Sequence, residues 1–177
     1  MSESMTSERL QQGEALHKIR FWLIVFMAGL VISGITAFPL QSELSLMLSV
    51  LESEPLRQPA QAAALLPWIA RVHHALSETN ALYPFLAYGT DWLAFAHLVL
   101  VVLFVGPYRD PVRNKWVVTF GLIACAGVIP LALIAGHIRG IPFPWRLIDC
   151  SFGVFGSIPL LRCRRLISSL ELASVGA

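Results

Sequence analysis

The chain has 177 residues, of which 56% are apolar and only 14% charged, with a mean hydropathy of +0.67 and a formal net charge of +2. A soluble domain carries about a quarter charged residues, so the balance excludes an ordinary soluble fold and points to a membrane protein. The small charge, with no basic cluster interleaved with aromatics, argues against nucleic acid as a partner, and three cysteines with no CxxC pair argue against a disulfide scaffold or zinc ribbon.

Residues 1–17 are polar and read as a cytoplasmic lead-in. Residues 21–40 hold no charge and supply about the 20 apolar positions that a helix needs to cross a hydrocarbon core of about 30 Å. This run is longer than a signal-peptide core and no A-x-A site follows, so it reads as an uncleaved first span. Phe38-Pro39 marks its exit.

Residues 41–89 are the one sizeable segment between spans. Leu44, Met47, Leu48 and Leu51 share a helical face, with Ser42 placed to cap it. Pro55 and Pro59 interrupt this helix. A second, from Ala60 to Glu78, puts Leu65, Ile69, Val72 and Leu76 on one side and Arg71, His74 and Glu78 on the other. Both are amphipathic and are expected to lie along the outer interface or to cap the bundle. His74 and Glu78, one turn apart, read as an exposed helix pair with no second half of a metal site.

The remaining spans are expected at about residues 90–108, 116–136 and 145–162. The turn-rich stretch Gly106 to Lys115 joins the second to the third. If the N-terminus is cytoplasmic, nine basic residues fall inside (Arg9, Lys18, Arg20, Arg109, Arg113, Lys115, Arg162, Arg164 and Arg165) and four outside (Arg57, Arg71, Arg139 and Arg146). That asymmetry is what positive-inside sorting produces, and it requires an even number of crossings. The expected fold is therefore an all-α integral membrane protein of four transmembrane helices, one domain, in the inner membrane with both termini cytoplasmic.

Ionisable residues concentrate where three spans meet the outer boundary. Tyr88 and Asp91 start the second span, His137 and Arg139 end the third, and Arg146, Asp149 and Cys150 start the fourth. Arg146, Asp149, Cys150, Gly153 and Ser157 follow steps of three and four, a polar face of small residues that lipid cannot solvate. Two readings compete. In one, the arginines and aspartates form an ion-pair network that fixes helix register, Asp149 pairing with Arg146, Arg139 or both. In the other, Arg139 and Arg146 bind an anion in an outward pocket and Asp149 or His137 moves a proton. His97, near mid-span, reads as a packing histidine; as a haem ligand it lacks a partner at the same depth. Gly29, Ser33 and Thr36 in the first span, and Gly121 and Cys125 in the third, are stripes of small residues suited to helix contacts.

The phrases YPFLAYGTDWLAFAHLVL, GPYRDPVRNKWV, IPLALIAGHIRGIPFPWRLIDCSFG and IPLL, within Tyr83 to Leu161, resemble a family of small, uncharacterised bacterial integral membrane proteins. The resemblance implies a bacterial multi-pass inner-membrane protein and carries over no substrate, cofactor or catalytic residue. The functional expectation is a non-catalytic subunit or accessory component whose partners are the bilayer and another membrane protein or a second copy. A small enzyme or binding protein for an anionic amphiphile is the alternative.

Overall fold

A computed structural model describes the backbone of residues 2–175 and the side chains of residues 10–61 and 63–172. Every regular element among the described residues is helical: α1 (Ser2–Ala37), α2 (Leu40–Glu52), α3 (Arg57–Ala62), α4 (Leu65–Leu82), a 3₁₀ turn (Pro84–Ala87), α5 (Tyr88–Arg109), α6 (Lys115–Pro130), a π turn (Leu131–Ala135), α7 (Gly136–Ile138) and α8 (Phe143–Val175). Three helical stretches, Leu10–Ala37, Pro84–Arg109 and Lys115–Ile138, are long and apolar enough to cross a membrane. The stretch expected as a fourth span, 145–162, is the first half of α8, where Arg146 and Asp149 at its start and Arg162, Arg164 and Arg165 at its end dilute the apolar run.

The long helices form two pairs that share a core. α1 packs on α5, α6 packs on α8, and α1 also packs on α8. α8 runs antiparallel beside α6 for the whole of that helix. Lys115 pairs with Glu171 at one end, Arg164 donates to Thr119, and Arg146 donates to the Leu133 carbonyl at the other end. Glycines set this distance. A Cβ on Gly153 would lie less than 3.0 Å from the Cys125 carbonyl oxygen, and one on Gly121 would meet Leu160 and Phe104 at 2.7 and 2.8 Å. Small residues let helix backbones approach where hydrophobic driving force is absent, and these two positions use that freedom.

The buried core lies towards one end. Ile19 and Leu23 of α1, Phe104 of α5, Val118 and Cys125 of α6, and Leu160, Cys163 and Ile167 of α8 form one cluster. The ring of Phe26 packs against Phe104 with centroids 4.7 Å apart, and the Cys163 thiol donates to the Ile19 carbonyl at 3.5 Å. At the other end burial is local to each pair, as at Ala94 beside Gly34 and at Ala132 in the π turn.

The turn between α5 and α6 closes the core end. The Asp110 carboxylate accepts from the Arg113 N–H at 3.0 Å, and the Asn114 amide donates to the carbonyls of Gly106 and Asp110 at 3.2 and 2.9 Å. The basic residues gather here: Lys18, Arg20, Arg109, Arg113, Lys115, Arg162, Arg164 and Arg165 stand against Glu14, Asp110 and Glu171. Arg9, expected on the same side, is among the residues whose side chains are not described.

Several boundaries differ from expectation. α2 begins at Leu40, before Ser42, and makes no side-chain cap. The helix expected from Ala60 to Glu78 is two helices, broken where Ala64 takes a left-handed φ of 57°. α2 and α4 spend their apolar faces on each other, with Leu44 and Ile69 buried, and neither packs on α6 or α8. A polar seam holds this hairpin. Gln41 donates to Ser77 at 3.1 Å, Asn80 donates to Gln41 at 3.1 Å, and Ser45 hydrogen-bonds His73 at 2.8 Å. α2 and α4 thus pack chiefly on each other, with a small contact from α2 to α1.

The glycine contact yields a stability test. Gly153→Ala forces a methyl against backbone, which cannot rotate away, so we expect a loss of about 1–3 kcal/mol by the usual cost of overpacking. Thermal unfolding in detergent should show it, while Gly29→Ala, whose Cβ would meet open space, should leave the midpoint unchanged.

Candidate functional site

The polar residues at the non-core end are set by the connection between α7 and α8. Gly140 has φ +69°, the left-handed conformation that glycine tolerates best. Its N–H donates to the His137 carbonyl at 3.1 Å, and the Ile141 N–H reaches back to the Gly136 carbonyl at 2.9 Å. Those two bonds are a Schellman motif, which satisfies the last carbonyls of the helix, and Pro142 then prevents its continuation. The next helix starts at once, with the Arg146 N–H donating to the Pro142 carbonyl at 3.1 Å.

Arg146 is the residue on which the site is organised. Its Cγ and Cδ lie across Gly136, where a Cβ would approach both at 2.8 Å. Its Nη1 donates to the Leu133 carbonyl at 3.3 Å, and its guanidinium carbon lies 5.3 Å from the centroid of the Phe143 ring. The acceptor sits inside the π turn, where carbonyl pairing shifts by one residue. The Arg146 Nε is buried and makes no hydrogen bond among the described residues. One turn further, the Cys150 thiol points at the Ile129 carbonyl at 3.9 Å.

The expected ion-pair network does not form among the described residues. Three ion pairs occur among the described residues: Lys18–Glu14, His74–Glu78 and Lys115–Glu171. None involves Asp149, Asp91, Arg139 or Arg146. The physical reason lies in Gly136 at the start of α7, which opens a lane beside the π turn and lets the Arg146 side chain cross to the Leu133 carbonyl instead of running back along α8 to Asp149. Asp149 is half-buried beside it, while His137 and Arg139 are exposed.

Tyr88 and Asp91 do not join this group. α5 packs on α1 along its length and meets α8 only at the shared core around Phe104, at the opposite end from Tyr88. Tyr88 is exposed and stacks edge-on with Trp92, and Trp92 does the same with Phe95, in a belt of rings along the start of α5. Asp91 sits in the first turn of α5, where the helix dipole favours an acidic residue. His97 turns its Nδ1 to the Leu93 carbonyl of its own helix at 2.8 Å and packs its Cβ against Gly34 of α1. No group of three or more His, Cys, Asp or Glu residues with metal-site spacing occurs among the described residues.

Two surface cavities lie elsewhere. One, of about 620 Å³, lies between α2, α3 and α4 and is lined by Glu52, Arg57 and Gln61. The other, of about 440 Å³, lies along α1 at Leu10, Glu14 and Lys18. Sequence reasoning missed the Arg146–Gly136–Leu133 contact; its signal was Pro130, which cannot donate to the preceding turn. Searches against known families, curated proteins and solved structures give no match.

Two substitutions test this geometry. Gly136→Ala should lower thermal stability by displacing Arg146, and the loss should shrink in an Arg146→Ala background, because the displaced group is then gone. Asp149→Asn strands no partner, so we expect its effect on the midpoint to stay well below the ~3–5 kcal/mol of a broken buried pair.

Proposed function

We propose that this chain is a four-span, non-catalytic component of an inner-membrane assembly, with both termini cytoplasmic. The observation that carries the reading is the face of α1 that its own bundle leaves unused. Gly29 and Ser33, one turn apart, are exposed, and a Cβ on Gly29 would meet no atom within 4 Å. A small residue followed four positions later by another is the pattern on which membrane helices associate. The corresponding stripe of α6 is used internally, since Gly121 and Cys125 are buried against Leu160, Phe104 and Gly156. One stripe thus builds the bundle and the other remains for a second helix, from another protein or a second copy.

Support for the fourth crossing comes from α8's company. It lies against α6, one of the three spans, from Arg146 beside Leu133 to Glu171 beside Lys115. From Arg146 to Glu171 it is about 38 Å long, enough to traverse the core of a bilayer. Aromatic residues mark both depths, with Tyr88, Trp92 and Trp145 at one end and Trp22, Tyr108 and Trp116 at the other. The basic end then faces the cytoplasm by positive-inside sorting. The alternative, an outward site for an anionic amphiphile, has one observation behind it: the buried, unpartnered Nε of Arg146.

Two measurements test this. Single cysteines at positions 113 and 169 should label only from the cytoplasmic side and at positions 58 and 140 only from outside; outside labelling of 169 with 113 still inside would overturn the fourth span. Gentle purification from native membranes should retain a stoichiometric protein, lost in Gly29→Leu while the melting midpoint holds. A retained small amphiphile that Arg146→Ala releases, with no protein retained, would favour the alternative.

A further inference from the structure

The basic end of the bundle carries eight cationic side chains against three acidic ones, and the acidic groups are largely committed. Glu171 pairs with Lys115, Asp110 holds the Arg113 backbone, and Glu14 sits 3.6 Å from Lys18 in an exposed pair. Arg164 is turned inward to Thr119, and Arg20 donates to the Tyr108 carbonyl at 3.4 Å with its guanidinium carbon 5.7 Å from that ring's centroid. Arg162 differs. Its guanidinium carbon lies 5.4 Å from the centroid of the Trp22 ring, and its side chain makes no hydrogen bond or ion pair among the described residues. Arg165, three residues on, is likewise exposed and without a carboxylate partner among those residues.

The register of α1 against α8 brings a third cation to this seam. Cys163 meets Ile19, Arg162 meets Trp22, and Gly156 meets Phe26, so the antiparallel helices place Lys18 level with Arg164 and Arg165. The half-buried Trp22 adds an indole N–H with no acceptor among the described residues. A guanidinium held by a ring on one face still presents its N–H groups at the edge, in the fork that suits two oxygens of a phosphate. Trp22 also stands at the depth where tryptophan marks the boundary between hydrocarbon and headgroups.

We infer that the α1–α8 seam, through Arg162, Arg165 and Lys18 around Trp22, binds the headgroup of an anionic phospholipid in preference to a zwitterionic one. Charge complementarity names the occupant: the seam has a cationic excess, carries the aromatic ring that marks headgroup depth, and no acidic side chain among the described residues pairs with Arg162. A protein partner with an acidic segment would instead have to reach this depth at the bilayer surface. The site does not depend on which leaflet the basic end faces.

The test uses the built-in fluorophore. The full chain is reconstituted in phosphatidylcholine bilayers containing increasing fractions of phosphatidylglycerol or phosphatidylcholine with brominated acyl chains. The quenching of Trp22 is obtained as the difference between wild type and Trp22→Phe. Brominated phosphatidylglycerol should associate with the Trp22 site about fivefold more strongly than brominated phosphatidylcholine, from the attraction of each basic residue for anionic lipid. Arg162→Gln with Arg165→Gln should bring that ratio to about one, and Arg162→Lys with Arg165→Lys should keep most of it. Equal quenching by the two lipids in wild type overturns the proposal, and so does a preference that survives the glutamine pair. The wild-type comparison stands alone if the glutamine variant does not fold.

Discussion

The close approach of α6 and α8 is the constraint from which the rest of the structure follows. α8 carries Arg146, Asp149, two serines and a basic cluster within its first 25 residues, a more polar run than those of the three apolar spans. It is accommodated because Gly153 and Gly121 remove side chains at the contact and let the two backbones meet. The polar groups then find partners on α6 or on α8 itself. Ser151 and Ser157 donate to the carbonyls of Ile148 and Val154, at 2.6 and 2.7 Å, and Arg146 and Cys150 reach carbonyls of the neighbouring helix. A helix carbonyl, with its second lone pair, is an acceptor such side chains can reach without leaving the bundle.

That arrangement explains why the core is concentrated at one end. Near Cys125 and Leu160, α6 and α8 also receive α1 and α5, and four helices share Ile19, Leu23, Phe104, Val118 and Ile167. Beyond Gly153 the partners differ. α1 continues with α5 through Gly34, where a Cβ would lie 3.0 Å from the Ala94 carbonyl, and α8 continues with the π turn and α7 through Gly136. The end with the shared core also carries the excess of basic residues, held by aromatic rings and by Glu171. Rigid packing and charge thus coincide at one end of the bundle.

Much of this was legible in the amino-acid sequence. Uninterrupted apolar runs locate α1, α5 and α6, because a bilayer leaves a helix no other composition at those depths. Gly140 and Pro142 are residue types that end helices, and the structure uses them in a specific capping motif. The length of α8 was not legible. Arg162, Arg164 and Arg165 resemble a terminus, yet the helix runs on to Val175 because Leu166, Ile167 and Leu170 continue the stripe that packs towards the core. The α2–α4 pairing was missed for a related reason: an amphipathic face does not say whether lipid or another helix will cover it.

The polar cluster shows where residue spacing stops being informative. Arg146 and Asp149 are three apart, which places them on one face, and a charge pair between them satisfies every local rule. The outcome is decided on the other helix. A glycine at position 136 gives the arginine's aliphatic stem a lane, and the π turn after Pro130 presents the Leu133 carbonyl at its end. A larger residue at 136 would meet the Cγ and Cδ of Arg146 at 2.8 Å and close the lane. The choice between an ion pair and a helix-to-helix tether therefore rests on a residue with no charge and no side chain.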